Sequence, residues 1–436
     1  MTRLCLALAA TMFVAPFARA GLDDYVKKAD SAFAWKFEET IATPAGSFHR
    51  ITLTSQIWQG ITWKHQLCIF EPKTITNPEA MVLFITGGSN NKIDEVRGGD
   101  TLIGFAIANA CQSRVAVLAQ VPNQPLLGDK TEDTLIAETF VRYLETKDES
   151  WPLLFPMAKS AVKAMDAVQA FAKEKFHADV TKFVISGASK RGWTTWLASA
   201  VDDRVIAFAP MVIDTLNMKE QGPHQLKVWG KYSEQIEDYV DRGLVQRPDA
   251  PDLQALWTMV DPFTYRDRER LNKPKILIHG TNDRYWTVDA SSLYFGDLKG
   301  PKNIVFLPNA GHGLDQNRDF AIGAVGALYR YAVKGQTLPK VDWQFVTNSE
   351  SLQINLTANP APQSARVWST HSETRDFRES KWTAGPPVEG TTTSFKIPRP
   401  TSGNDAMLVE LSYEVDGLKY KLTTQIAQAS AKVISE

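Results

Sequence analysis

A serine, an acid and a histidine each follow an apolar run of the sequence. The serine lies in the stretch Gly187-Ala188-Ser189-Lys190-Arg191-Gly192, directly after the run Lys182-Phe183-Val184-Ile185-Ser186. Hydrolases expose a nucleophile on a strand that enters a sharp serine-centred turn, and a small neighbour such as Gly187 lets the backbone fold back. Ser189 is therefore the predicted nucleophile.

The acid and the histidine follow two later apolar runs. Asp283 comes after Lys275-Ile276-Leu277-Ile278-His279-Gly280, and His312 lies between two glycines after Asn303-Ile304-Val305-Phe306-Leu307. Open α/β sheets bind their ligands at the C-terminal ends of the strands. The chain order serine, acid, histidine is that of the α/β-hydrolases. We therefore predict an α/β-hydrolase fold with a mainly parallel sheet.

These residue types predict nucleophilic catalysis through an acyl-enzyme. A serine at its ordinary pKa needs a neighbouring base, and His312 fits this role because its glycine-flanked loop lets the ring approach Ser189. Asp283 would orient the imidazole and stabilise its charged form. Asp214, just past the strand Val205 to Val212, competes for the same role, and Asp289 is a weaker competitor.

The oxyanion formed during attack needs hydrogen-bond donors that are fixed in advance. The backbone N–H of Lys190, directly after the nucleophile, is one candidate. The N–H of Gly88, in the loop Gly87-Gly88-Ser89 after the strand Met81 to Ile85, is the other. The same segment lacks the glycine before lysine and the hydroxyl residue after it that define a phosphate-binding loop.

The N-terminus predicts export. Arg3, the apolar stretch Leu4 to Phe17 and Ala18-Arg19-Ala20 match a cleavable signal peptide over residues 1–20, with cleavage near Ala20, and the apolar stretch is shorter than a membrane span. Cleavage removes two arginines and no acid, which changes the formal net charge from −1 to −3. We expect a secreted or periplasmic protein without a membrane span or nucleic-acid partner. Cys68 and Cys111 remain, either as one disulfide or as two buried thiols.

Alternating strands and helices place the hydrolase domain at residues 21–337. Ser47 to Phe70 alternates around Gln59-Gly60 and predicts a hairpin, and Leu154 to Phe176 has the spacing of an amphipathic helix. Residues 216–271 lack a clear strand and contain several aromatic residues. We interpret them as a helical cap over the active site, whose aromatics either line a cleft or form a small core of their own.

Residues 338–436 differ from the rest in composition. Prolines separate short alternating runs, of which Val409 to Val415 and Leu418 to Ile426 are joined by Asp416-Gly417. An Asp-Gly pair between two such runs is a strong hairpin signal. These residues are predicted to form a β-sandwich of the immunoglobulin or fibronectin type III kind.

Several motifs resemble known families. The elbow departs from the usual pattern, because Arg191 stands where glycine is common and the glycine follows at Gly192. This arrangement resembles glucuronoyl methylesterases, which implies that the Lys190 side chain also faces the oxyanion. The stretch Asp261-Pro262-Phe263 through Tyr265 resembles the segment before the acid in dipeptidyl-peptidase-type enzymes, which implies peptidase activity as an alternative.

A more extensive resemblance is to the PhoPQ-activated pathogenicity-related family. It rests on the elbow through Trp193, on Ile278-His279-Gly280-Thr281-Asn282-Asp283, on Pro308-Asn309-Ala310-Gly311-His312, on Val201-Asp202-Asp203-Arg204-Val205 and on the Thr86-Gly87-Gly88 loop. The resemblance spans about residues 25 to 430 and implies an exported protein with an α/β-hydrolase fold. It implies no particular substrate.

Together these observations predict a secreted serine hydrolase that acts on an ester or a peptide. We expect a small-molecule or peptide substrate and neither a cofactor nor a metal, whereas the substrate-binding residues and the oligomeric state are left open. The alternative is a non-catalytic secreted binding, signalling or virulence-associated protein on a hydrolase scaffold. In that case the triad is vestigial and the C-terminal β domain is responsible for recognition.

Overall fold

The computed structural model describes residues 21–389 and 392–431. The predicted signal peptide of residues 1–20 lies outside the described residues. In the described part of the chain no helix is both long and apolar enough to cross a bilayer.

The elements of the structure alternate as the sequence predicts between about residues 80 and 332. The helices are α1 Leu22–Lys27, α2 Gly98–Cys111, α3 Glu132–Thr146, α4 Leu154–Phe171, α5 Lys190–Ser199, α6 Met218–Trp229, α7 Glu237–Val240, α8 Pro251–Val260 and α9 Arg318–Ala332. The strands are β1 Ala34–Thr43, β2 Gly46–Trp58, β3 Ile61–Pro72, β4 Ala80–Ile85, β5 Val115–Leu118, β6 Lys182–Ala188, β7 Val205–Met211, β8 Lys275–Gly280, β9 Lys302–Leu307, β10 Lys340–Thr347, β11 Ser351–Asn359, β12 Ser364–Ser372, β13 Thr383–Ala384, β14 Val388–Glu389, β15 Ser394–Pro398, β16 Asn404–Val415, β17 Leu418–Thr423 and β18 Ala427–Ser430.

The central part of the main sheet is parallel and has the strand order β5-β4-β6-β7-β8-β9. The predicted hairpin β2–β3 turns at Gln59-Gly60 and pairs antiparallel with β5, and β1 forms the edge beyond it. The parallel strands are continuous apolar runs because helices cover both of their faces. The C-terminal ends of β6, β8 and β9 therefore meet at one rim of the sheet.

Two apolar clusters lie on opposite faces of this sheet. The first contains buried residues of α4 and α5, such as Phe155 and Trp196, and the second contains residues of α2 and α9, such as Phe105 and Leu328. Three layers of helix, sheet and helix result, as the α/β-hydrolase prediction requires. The fold-class prediction is thus confirmed.

The insertion of residues 216–271 lies between β7 and β8 and contains α6, α7 and α8. Asp261 organises part of it, because its carboxylate accepts the backbone N–H groups of Met218 at 2.7 Å and Phe263 at 2.9 Å. Burial raises the pKa of Asp261 to about 6. Asp261, in the segment that resembles the peptidases, thus fixes the start of α6 and the turn that follows Asp261 itself.

The C-terminal residues form two groups of strands. β10, β11 and β15 make a separate antiparallel sheet, whereas β17, β16 and β12 continue the main sheet because Thr423 of β17 pairs with Ile304 of β9. The predicted hairpin at Asp416-Gly417 is present, and both residues have positive φ, at 49° and 79°. The boundary at residue 337 and the sandwich type stay predictions.

Of the two arrangements left open for the cysteines, the structure has the buried free thiols. Burial raises the pKa of the Cys68 thiol to about 12.

Candidate active site

Ser189 lies at the turn between β6 and α5. Its backbone has φ 58° and ψ −128°, a conformation that costs a residue with a side chain about 1–3 kcal/mol. The turn is fixed to the sheet because the N–H of Ser189 donates to the carbonyl of Met211 at 2.8 Å. Strain of this kind is typical of a nucleophile elbow.

This turn requires glycine at two positions. A Cβ on Gly187 would lie 2.8 Å from the carbonyl oxygen of Arg191, and one on Gly192 would lie 2.8 Å from the carbonyl oxygen of Met211. Gly192 is therefore required where the first turn of α5 crosses the end of β7.

Arg191 occupies a buried site beneath the Gly87-Gly88 loop. Its guanidinium donates to both carboxylate oxygens of Glu132, at 2.8 and 2.7 Å, and its Nε donates to the carbonyl of Val121. A Cβ on Gly87 would lie 2.3 Å from the guanidinium. Although burial alone would raise it, the pairs with Arg191 and Lys190 keep the pKa of Glu132 well below its usual range.

The side chain of Lys190, which by the esterase resemblance faces the oxyanion, is held by two carboxylates. Its Nζ lies 2.8 Å from Glu132 Oε2 and 3.3 Å from Asp133 Oδ2, so this buried ammonium is engaged in ion pairs. The backbone N–H of Lys190 is the first of α5 and has no acceptor within the helix. Gly88 has φ +143°, and a Cβ there would lie 3.2 Å from the Gln120 side chain. Their roles as oxyanion donors stay predictions.

Asp283 and His312 form a hydrogen-bonded pair. His312 Nδ1 lies 2.8 Å from Asp283 Oδ2, and the Asp283 side chain is buried. The two loops contact each other closely, because a Cβ on Gly280 would lie 2.3 Å from the carbonyl oxygen of Ala310. In the neutral ring this arrangement places the proton on Nδ1 and leaves Nε2 free to accept one.

His312 Nε2 is buried, and no hydrogen-bond partner for it lies among the described residues. The structure thus brings the predicted acid and base together but has no hydrogen bond between the base and the hydroxyl of Ser189. The rings of Tyr285 and His312 are in contact, with centroids 4.2 Å apart. Catalytic hydrogen bonds are often long without substrate.

The competing acids have other partners. Asp214 is buried and accepts the hydroxyl of Tyr294 at 2.5 Å, and burial raises the pKa of Asp214 to about 7. Asp289 lies 2.9 Å from His224 Nε2 and 3.0 Å from a guanidinium nitrogen of Arg375. Burial would raise the pKa of Asp289, but its pair with His224 lowers it.

A cavity beside Ser189 is lined by residues that the sequence pattern did not identify as functional. Asp133 accepts hydrogen bonds from the hydroxyls of Tyr239, at 3.0 Å, and Tyr285, at 3.1 Å, and all three side chains line the cavity. Asp133 lies in the first turn of α3, where an acidic residue is expected for its interaction with the helix dipole alone. No spacing along the chain connects it to Ser189.

The aromatic residues of the insertion divide between the two predicted roles. Tyr239 and Trp257 line the cavity beside Ser189. Tyr265 is buried in the insertion and donates its hydroxyl to the carbonyl of Met259 at 2.6 Å. The insertion thus has a core of its own and also covers the nucleophile.

A C-terminal segment packs behind the acid and histidine loops. The amide of Asn282 donates to the carbonyls of Ser380 at 2.7 Å and Arg378 at 3.1 Å. Asn309 exchanges two hydrogen bonds with the backbone of Trp382, at 3.0 and 2.7 Å. The loops that contain Asp283 and His312 are therefore fixed in part by residues 378–382.

Among the described residues there is no cluster of histidine, cysteine or carboxylate side chains that could bind a metal ion.

The chain has the α/β-hydrolase fold. Acetyl xylan esterase 1 from Thermoanaerobacterium has a similar structure, with a TM-score of 0.50 and 15% identity over 71% of this chain and 93% of that one. An acetyl xylan esterase from Paenibacillus has a TM-score of 0.45 and 11% identity over 71% of this chain and 91% of that one.

Within this class the chain belongs to the PhoPQ-activated pathogenicity-related protein family, whose sequence pattern matches residues 22–378. It is 34% identical over 397 residues to autocrine proliferation repressor protein A from Dictyostelium discoideum. The match covers 86% of this chain and 78% of that protein. The predicted family membership is thus confirmed.

Proposed function

We propose that the chain is an exported serine hydrolase that cleaves an ester or a peptide through an acyl-enzyme. The observation that favours this most is the strained backbone of Ser189, at the same rim of the sheet as the Asp283–His312 pair. Backbone strain of this kind persists only where the surrounding structure maintains it, and it clusters at active sites. A histidine that presents a free Nε2 next to this rim is the base that such a serine requires.

In the proposed reaction His312 Nε2 takes the proton of Ser189 as Oγ bonds to the carbonyl carbon. The carbonyl π electrons move to its oxygen, which the N–H groups of Lys190 and Gly88 stabilise. Collapse of this intermediate expels the alcohol or amine, which receives the proton from His312. Water activated by the same histidine then releases the acid and restores Ser189.

This mechanism requires Oγ and Nε2 to come within hydrogen-bond distance when substrate binds. The ring of Tyr285 contacts His312, and Tyr285 also lines the cavity, so a bound substrate would contact the residue that packs on the base. Such tightening is common in hydrolases, in which the apo geometry is looser than that of the complex.

Hydrolysis of a panel of chromogenic acyl, glycosyl and dipeptidyl substrates tests the proposal. Turnover that disappears in Ser189→Ala supports it. Equal turnover in Ser189→Ala, or none in the well-folded wild type with any substrate, contradicts it.

Export belongs to the same proposal, because residues 1–20 have the composition of a signal peptide. N-terminal sequencing of protein recovered from the periplasm or medium is expected to begin at Gly21. A cytoplasmic protein that retains residues 1–20 contradicts this part.

A non-catalytic signalling protein is the second candidate. Two observations favour it: the absence of a Ser189–His312 hydrogen bond among the described contacts, and the relative that is named as a proliferation repressor. Under this candidate Ser189→Ala would leave the biological effect of the protein unchanged, whereas the hydrolase requires its loss.

A further inference from the structure

The cavity beside Ser189 is larger than a small acyl group needs. Its volume is about 80 Å³. This is several times the roughly 10–15 Å³ that a single water molecule needs on the same measure, whereas an acetyl group has only a few non-hydrogen atoms. One wall is the start of α5, with Ser189 and Trp193, and the opposite wall is the insertion of residues 216–271.

The walls of this cavity are mainly apolar. Ile213 and Trp193 line it from the sheet side, and Met218, Leu244, Val245 and Trp257 line it from the insertion. An apolar wall stabilises a ligand in proportion to the apolar area that leaves water. Each methylene that enters this space should therefore strengthen binding.

The charged side chains among the described lining residues are Asp133 and Lys190, and they are already paired. Lys190 Nζ lies 3.3 Å from Asp133 and 2.8 Å from Glu132, while Arg191 takes the other oxygen of Glu132 at 2.7 Å. Two cations thus balance two anions. A ligand with its own charge would lose its hydration without finding an unpaired counter-charge.

The two glutamines in the wall are also engaged within the protein. The amide of Gln221 donates to the carbonyl of Leu216, and the amide of Gln225 donates to the carbonyl of Tyr285, both at 2.9 Å. The oxygen of Gln225 accepts the N–H of Ser233 at 2.9 Å. These amides fix the insertion against the acid loop and leave few free hydrogen-bonding groups for a polar ligand.

We propose that this cavity binds the acyl group of the substrate and that this group is neutral, apolar and larger than acetyl, such as a medium-length alkanoyl chain or an aryl-containing acyl group. The proposal rests on the proposed function, since Ser189 holds the acyl group between the two half-reactions, after the alcohol has departed. A cavity lined by Ser189 is thus the natural place for the part that stays bound.

Turnover of p-nitrophenyl esters tests this directly. We expect kcat/KM to rise by about fourfold for each methylene from acetate through butyrate to hexanoate. The monosuccinyl ester, similar in length but negatively charged, should be at least about tenfold slower than the butyrate ester. Equal or faster turnover of the acetyl or the succinyl ester overturns the proposal. If kcat/KM does not change with acyl length but rises steeply with the size of the alcohol in a series of acetate esters, the assignment of the cavity to the acyl group is overturned.

Binding separates this proposal from the hydrolase proposal. Calorimetry of Ser189→Ala with the same intact esters should give tighter binding of the hexanoate than of the acetate ester. If this gradient appears but the wild type hydrolyses none of the esters, the cavity assignment stands and the hydrolase proposal fails. If the wild type hydrolyses the esters without a gradient in turnover or binding, the cavity assignment fails alone.

A pair of variants locates the effect. Val245 lines the cavity, whereas Val240, in α7 of the same insertion, does not. Val245→Phe should lower the ratio of hexanoate to acetate turnover by at least about tenfold, because the new ring occupies space that the longer chain needs. Val240→Phe should leave the ratio unchanged. Equal ratios in both variants and the wild type overturn the proposal.

Discussion

At the scale of single residues, Asp283 and Asp214 differ in what their carboxylates contact. Asp283 contacts His312 at 2.8 Å, whereas Asp214 accepts the hydroxyl of Tyr294 at 2.5 Å. We therefore expect Asp283→Asn to lower kcat by about 10⁴-fold, since the amide favours the wrong imidazole tautomer. Asp214→Asn should lower kcat by less than about tenfold. Steady-state kinetics on one ester compares the two, and a larger loss in Asp214→Asn would assign the orienting role to Asp214.

Asp214 also gives a prediction about pH. Its folded-state pKa is raised to about 7 by burial, whereas an unfolded aspartate titrates near 3.9. Between these values the folded state binds the extra proton, so this group stabilises the fold fully below about pH 4 and loses that contribution as the pH rises through about 7. Asn keeps an oxygen to accept the Tyr294 hydroxyl but does not titrate.

We expect the wild type to lose more thermal stability than Asp214→Asn between pH 5 and pH 8. Thermal unfolding of both proteins at the two pH values measures the difference, and the other ionisable groups cancel in the comparison. The same change in both proteins would show that Asp214 does not titrate in this range.

At the scale of elements, the elbow depends on the approach of α5 to β7. A Cβ on Gly192 would lie 2.8 Å from both the carbonyl oxygen of Met211 and the Ile213 side chain. Gly192→Ala should therefore destabilise the fold by about 1–3 kcal/mol and displace Ser189. Gly296 is a matched control, because a Cβ there meets nothing within 4 Å. Urea unfolding measures both variants, and equal stabilities would contradict the steric argument.

The loop that contains the acid depends on the C-terminal segment. Asn282→Ala removes the donors to the carbonyls of Arg378 and Ser380 and should lower kcat by about 10- to 100-fold as Asp283 loses its exact placement. Asn303→Ala is the control, because Asn303 donates to the carbonyl of Pro339 at 2.8 Å, away from the site. Both variants should lose about 1 kcal/mol or more of stability. Equal kcat in the two variants would contradict a positioning role for Asn282.

The pattern of apolar and polar residues predicted most of the strands and helices but few of the contacts between residues that are distant in the chain. The apolar runs before Ser189, Asp283 and His312 were correctly predicted to be strands, because parallel strands that are buried on both faces are apolar throughout. The ion pairs of Lys190 were not predicted, since Glu132 is distant in the chain and an acid at a helix start has a local explanation.

At the scale of the whole molecule, the C-terminal strands and the hydrolase domain share one sheet. Alternation with a period of two predicted the β16–β17 hairpin but cannot say which edge it pairs with, so the pairing of Thr423 with Ile304 was not foreseen. Arg330 of α9 adds to this interface by donating to the carbonyls of Ala110 and Asp416, both at 2.8 Å.

This shared sheet predicts cooperative unfolding. Because β17 covers the edge of β9 and packs on α9, loss of either part exposes buried apolar surface of the other. We expect residues 21–436 to unfold in a single calorimetric transition. Two resolved transitions, one of which is retained in residues 338–436 alone, would contradict this interpretation.

Activation of Ser189 by His312 is the step on which the proposed chemistry depends. Reaction with a fluorophosphonate, followed by mass spectrometry of the digested protein, measures it. We expect one adduct, on the peptide that contains Ser189, and a rate of labelling that falls by at least about 10³-fold in folded His312→Ala. No adduct on the folded wild type, or equally fast labelling of Ser189 in His312→Ala, would show that His312 does not activate Ser189.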